Sequence, residues 1–257
     1  MLKRIVVFVY GVACYGVFLA TFLYAIGFVG NLVVPKSLDS QVTMPFLYAL
    51  GIDVLLLGIF ALQHSVMARP WFKRVWTRVV PEPAERSTYV LFSSLALIAL
   101  FALWQPLGGT VWDIESPTGR LLMYSLFGLG FGLVLVSTLL INHFDLFGLR
   151  QVWLYLCGQP YTQLRFGTPL FYKYVRHPLY IGWLMAFWFT PTMTGAHLLF
   201  AVLTTAYMLT AIRWEENDLL AAHGENYARY RESVPMLVPS TAGYKAPAPQ
   251  YDVSRVA

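Results

Sequence analysis

The sequence predicts an all-α integral membrane protein of four transmembrane helices followed by a C-terminal membrane helical hairpin. Three observations predict it. Of the 257 residues, 58% are hydrophobic and 12% charged, whereas a soluble globular domain carries roughly 25% charged residues. The apolar residues come in long uninterrupted runs, which need lipid around them. The basic residues gather in those connecting segments that one orientation places on a single side.

The first apolar run covers about Ile5 to Val34, after Lys3 and Arg4. It exceeds the ~7–15 residues of a signal-peptide core and lacks a clear cleavage site, so it reads as an uncleaved span. The second runs from about Pro45 to Met67, the third from Thr88 to Trp104 and the fourth from Gly119 to Ile141. Each is close to the ~20 residues that cross a bilayer. The segment from Phe147 to Tyr174 is too mixed to span and fits the membrane surface. The last apolar region, Leu179 to Ile212, is broken by Thr190-Pro191-Thr192-Met193-Thr194-Gly195. Proline and glycine so placed end one helix and turn the chain. The two halves are each short for a full crossing, so the region reads as a hairpin that dips in and returns.

Positive charge supports that return, because cytoplasmic segments concentrate lysine and arginine. With both termini in the cytoplasm, 16 of the 18 basic residues lie on the cytoplasmic side, including Arg165, Arg213 and Arg255; only Lys36 and Arg120 face away. A straight final span would move five of them outside. The pI near 9.2 is thus a consequence of topology, and no basic–aromatic pattern calls for nucleic acid. The two cysteines, Cys14 and Cys157, lie far apart and read as small apolar fillers. No metal-ligand spacing is present, and no signal sets an oligomeric state.

Ionisable groups in a bilayer are costly and are therefore functional candidates. The second span ends Gln63-His64-Ser65 and the fourth Asn142-His143-Phe144-Asp145, which puts His64 and His143 at similar depth. Either can equally be an interfacial histidine bonded to backbone. Asp53 lies eleven residues before His64 on the same helix face and reads mainly as structural.

Before the hairpin stands Tyr174-Val175-Arg176-His177-Pro178-Leu179-Tyr180-Ile181-Gly182, and after it Arg213-Trp214-Glu215-Glu216-Asn217-Asp218, then His223-Gly224-Glu225-Asn226-Tyr227-Ala228-Arg229-Tyr230. Alone, the first reads as a helix start with proline in the first turn, and the second as a solvated helix end. A returning hairpin joins them into one pocket of carboxylates, aromatic faces and backbone groups. Such a pocket suits S-adenosylmethionine, whose sulfonium is drawn to carboxylates and aromatic rings and whose carboxylate needs donors.

The combination RHPLYIG, hairpin, RWEENDLL, GENYARY and VP, over about Tyr174 to Pro235, resembles the isoprenylcysteine carboxyl methyltransferase superfamily. The stretches LQHSVMARPWFKR and INHFDLFGLRQVWLYL resemble its methanethiol S-methyltransferase branch, which is related to NnrU membrane proteins. The resemblance implies a single bacterial inner-membrane methyltransferase domain over 1–239, with cofactor-binding part about 142–239 and a C-terminal tail, 240–257, carrying Pro247 and Pro249. It implies S-adenosylmethionine bound by Tyr174, Arg176, His177, Pro178, Tyr180, Gly182, Glu215, Glu216, Tyr227 and Tyr230, on the cytoplasmic side. The implied reaction is methanethiol to dimethyl sulfide, with S-adenosylhomocysteine as the second product. A thiolate must form, so His64 or His143 is the expected base and Arg150 an expected thiolate stabiliser. Two other readings remain: the same cofactor with a prenylcysteine carboxylate or phospholipid amine as acceptor, and a non-catalytic NnrU-like membrane protein. Apart from the cofactor and thiol, membrane lipid is the expected surrounding.

Overall fold

The structure is a computed structural model that describes residues 1–164 and 166–245. The expectations placed on Arg165, Pro247, Pro249 and Arg255 lie outside the described residues.

Five helices are long and apolar enough to cross a membrane: α1 (Leu2–Gly30), α2 (Phe46–Ala68), α4 (Glu82–Leu103), α5 (Pro117–Ile141) and α9 (Gly195–His223). Shorter helices connect them, α3 (Pro70–Trp76), α6 (His143–Leu146), α7 (Leu149–Leu156) and α8 (Pro178–Trp188), and α10 (Glu225–Ser233) follows the last. The chain is therefore a helical integral membrane protein. Its outer surface carries exposed Leu23, Leu55, Leu121 and Leu129, the residue type that lipid rather than water covers.

Local chemistry sets the helix ends. Asn31 takes a left-handed φ of 54° and stops α1, four residues short of the hydropathy boundary, because asparagine tolerates that conformation. Ser116 accepts from the Gly119 amide and Pro117 opens α5. Thr194 accepts from the His197 amide at the start of α9. Two short strands were not expected: β1 (Thr110–Asp113) pairs antiparallel with β2 (Thr192–Thr194).

The hairpin expectation needs a correction in its second half. The apolar region does break and return, but α9 is 29 residues long rather than too short to cross. Hydropathy falls at Ile212, yet nothing in Arg213 to His223 breaks a helix, and α9 continues to Gly224, whose φ is +53°. The turn lies beside β1, at the end of α8 opposite His177. The core joins α1, α4, α5, α8 and α9 through Phe28, Phe101, Phe131, Phe187 and Phe200. Helices α5 and α8 meet through glycine: a Cβ on Gly182 would stand 2.7 Å from the Gly130 carbonyl oxygen. Small residues at such crossings let helix backbones approach within a membrane.

Candidate functional site

The RHP segment starts α8 as the sequence predicts, with His177 at the cap position and Pro178 first in the helix. The His177 side chain makes no cap bond. Its Nε2 lies 3.0 Å from Glu216 Oε1, and Arg176 Nε donates to the same oxygen at 2.8 Å. Arg176 also donates to the Arg231 and Val234 carbonyls at 2.7 and 2.5 Å. Its backbone amide donates to Pro235 O, and that of His177 to Met236 O. The two sequence clusters flanking the hairpin thus close on one buried carboxylate.

Around this knot stand the other candidates. Tyr180 donates to Glu215 at 3.0 Å, and Glu215 is otherwise exposed. Tyr230 donates to the Tyr172 carbonyl at 2.6 Å. Tyr227 is buried, and its hydroxyl has no partner among the described residues. Burial pushes the Tyr227 and Tyr230 hydroxyls well above their usual range, so both stay protonated. Tyr174 is partly exposed and its carbonyl accepts from the Ser240 amide, so the described start of the tail folds over it. Gly182 belongs to the α5 contact rather than to this cluster. An exposed carboxylate, aromatic faces and an unpartnered buried hydroxyl fit a cationic methyl donor.

The three catalytic candidates occupy different surroundings. His64 stacks on Phe60 at 5.3 Å, and its ring nitrogens lie within 3.1 Å of the Tyr89 and Ser93 hydroxyls. Next to it, Ser65 Oγ and Tyr207 OH are 3.0 Å apart, and Arg69 pairs with Asp218 at 3.0 Å. These contacts tie the end of α2 to α9. Tyr207 and Glu215 lie eight residues apart on α9, about two turns, so they share a face. His64 therefore lies at the end of α2 that Ser65 and Arg69 join to α9, the helix that carries Glu215.

His143 is buried at the α5–α6 junction, with Nε2 on Tyr15 OH at 2.8 Å and Nδ1 on Thr138 Oγ1 at 2.9 Å. Burial lowers its pKa. The stacked pair Phe18–Phe147 packs against its ring. Arg150 pairs with Asp145 at 2.8 Å and donates to the Thr162 carbonyl and hydroxyl, so its guanidinium braces a loop. Asp53 accepts from the Gln105 amide at 2.8 Å, fully buried toward the other end of α2, as its structural reading expects. The filler role fits buried Cys14 but not Cys157, which is exposed at the end of α7.

Tyr89, Ser93, Tyr207 and Tyr172 were not among the predicted site residues. Their signal was a hydroxyl in an apolar setting; which of them meet depends on packing between distant helices.

Comparison with known proteins gives the chain its relatives. It is 61% identical over 238 residues to the methanethiol S-methyltransferase of Crocosphaera subtropica, covering 93% of each chain. It is 52% identical to the methanethiol S-methyltransferase of Mycobacterium tuberculosis, over 93% of this chain and 98% of that one. Nurim of Xenopus laevis is 30% identical over 188 residues, covering 67% of this chain and 63% of its own, which fits the wider superfamily resemblance. No family model matches, and no solved structure matches. With half or more of its residues shared over nine-tenths of its length, the chain belongs to the methanethiol S-methyltransferase family.

Proposed function

We propose that this protein transfers a methyl group from S-adenosylmethionine to the sulfur of methanethiol, giving dimethyl sulfide and S-adenosylhomocysteine. The relatives' names supply the acceptor. The observation that supports the site is the closure of Arg176 and His177 on Glu216, which gathers the aromatic and acidic residues of both clusters. In this reading, 1–239 is one membrane domain in the bacterial inner membrane, with both termini and the donor site cytoplasmic. The concentration of basic residues on that side supports the orientation.

The donor supplies an electrophilic methyl group on a cationic sulfur. The chain's own residues do the rest. Glu215 faces the positive charge, with Tyr180 holding it in place. Tyr227 offers a free hydroxyl. Tyr174, Pro178 and Tyr230 shape the wall, and Gly182 sets the depth of α8 against α5. Glu216 fixes Arg176 and His177, so that the start of α8 keeps its position. His64 takes the thiol proton, and the sulfur lone pair then forms the new carbon–sulfur bond as the donor's carbon–sulfur bond breaks. A base so placed contributes about 10²–10⁴-fold. His143 and Arg150 are second candidates for proton and thiolate, through rearrangement of Tyr15, Thr138 or Asp145.

The test is purified protein in detergent with labelled donor and methanethiol, followed by headspace analysis. Labelled dimethyl sulfide is expected, and His64→Gln should cut its formation at least about 100-fold while S-adenosylhomocysteine still binds. Labelled lipid without volatile product would overturn the acceptor assignment. Absence of S-adenosylhomocysteine binding would overturn the enzyme.

A further inference from the structure

Helices α2 and α9 are held together near His64 by the Ser65–Tyr207 and Arg69–Asp218 contacts. Along the turns of α2 that precede His64, residues of both helices line a gap between them. The gap is a cavity of about 220 Å³, open along one side, with almost purely carbon walls that include Leu57, Gly58, Ala61 and Leu203. It lies within the apolar belt, where the same stretches of α2 and α9 expose Leu55 and Val202. Phe60 and Tyr207 are among its lining residues, and their rings meet edge to face at 6.4 Å. These two rings also back onto the site: Phe60 stacks on His64, and the Tyr207 hydroxyl bonds Ser65.

We infer that this gap is a lateral portal through which the acceptor thiol reaches His64 from the bilayer core, and through which dimethyl sulfide leaves. The inference rests on the small-thiol reading above and adds the route. Methanethiol and its product are neutral, apolar and only two and three heavy atoms in size. A space of this volume holds either one, since a liquid water takes about 30 Å³. The charged methyl donor cannot use a carbon-lined path, so donor and acceptor approach His64 from different sides. A dry approach also keeps the sulfur poorly solvated where it must become nucleophilic.

Gly58 and Ala61 set the aperture. They are three residues apart and so neighbour each other on one helix face. A Cβ on Gly58 would meet nothing within 4 Å, so a larger side chain there grows into the opening without displacing packed atoms. Gly51, on the same helix, has equally open surroundings but does not line the cavity, and it serves as the control.

The experiment compares wild type, Gly58→Leu and Gly51→Leu in proteoliposomes, reading kcat and KM for methanethiol, S-adenosylhomocysteine affinity and thermal stability. Gly58→Leu is expected to lower kcat/KM for methanethiol about tenfold, chiefly through KM. Donor-side affinity and stability should stay at wild-type levels, and Gly51→Leu should behave as wild type. Phe60→Ala should in turn raise relative turnover of a bulky thiol such as benzenethiol. A folded Gly58→Leu with unchanged methanethiol kinetics overturns the portal while leaving the methylation intact. So does native mass spectrometry that finds a phospholipid held by wild type and lost from Gly58→Leu, with methanethiol kinetics equal in both. If wild type itself makes no dimethyl sulfide yet binds S-adenosylhomocysteine, the acceptor reading falls and the route falls with it.

Discussion

Replacing Glu216 by alanine tests the part of the site on which the proposed donor pocket depends. The carboxylate accepts from Arg176 at 2.8 Å and lies 3.0 Å from His177, and the side chains of all three are 12% exposed or less. Removing it leaves a guanidinium with, among the described residues, only the Arg231 and Val234 carbonyls as partners. Breaking a buried ion pair from one side costs about 3–5 kcal/mol. The residual exposure places this case at the lower end, about 3 kcal/mol. Much of that cost is relieved if α8 separates from α9, which is also how the pocket is lost. A 3 kcal/mol bias against the closed arrangement corresponds to about a 150-fold loss of apparent S-adenosylhomocysteine affinity. Glu216→Gln keeps the volume and one acceptor oxygen, so its loss should be intermediate. The assay is calorimetric titration in detergent beside thermal unfolding of each variant, with His64→Ala as comparator. Wild-type affinity in Glu216→Ala, or a larger affinity loss in His64→Ala, would refute the assignment of this carboxylate to the donor side.

Two further outcomes follow from geometry. Because burial lowers the His143 pKa in the folded protein, the unfolded chain binds a proton there first, below about pH 6.5. Stability should therefore decline from about that pH downward, through the lowered folded value, and His143→Gln should flatten the decline in thermal unfolding scans; identical slopes would show that another group dominates. Gly182→Ala drives a Cβ to 2.7 Å from the Gly130 carbonyl oxygen and should cost about 1–3 kcal/mol, whereas Gly128→Ala, with nothing within 4 Å, should be nearly neutral; equal denaturation midpoints would remove the close α5–α8 approach.

Much of the fold was legible because each long helix advertises itself by apolar length. The RHP helix start was legible because proline belongs in a first turn. The α9 boundary was not, because hydropathy reports the environment of a helix rather than its end. Arg213 to His223 leaves the apolar region without leaving the helix. The strand pair was invisible because its pairing joins residues some 80 positions apart and each strand is too short to show alternation. The C-terminal cluster was legible because its residues lie in two compact motifs that a hairpin must bring together. The surroundings of His64 were not, since Tyr89, Ser93 and Tyr207 come from two other helices. A hydroxyl inside an apolar run signals a partner without saying which one. Arg150 and His143 show the converse: their chemistry was visible, but their commitments to Thr162 and to Tyr15 and Thr138 depend on the packed neighbourhood.

The extended stretch after α8 has a consequence for what the connector between α4 and α5 tolerates. Helical hydrogen bonding ends with the Phe189 amide, which donates to Met185 O, yet the Thr190 carbonyl accepts from the Trp112 indole and the Pro191 carbonyl from the Ile114 amide. The connector thus supplies donors that the broken helix lacks. An epitope or reporter inserted between Val111 and Ile114 would strand those carbonyls and loosen the hairpin from its far end, whereas the exposed segment around Gln159 and Pro160 is a safer place to carry one.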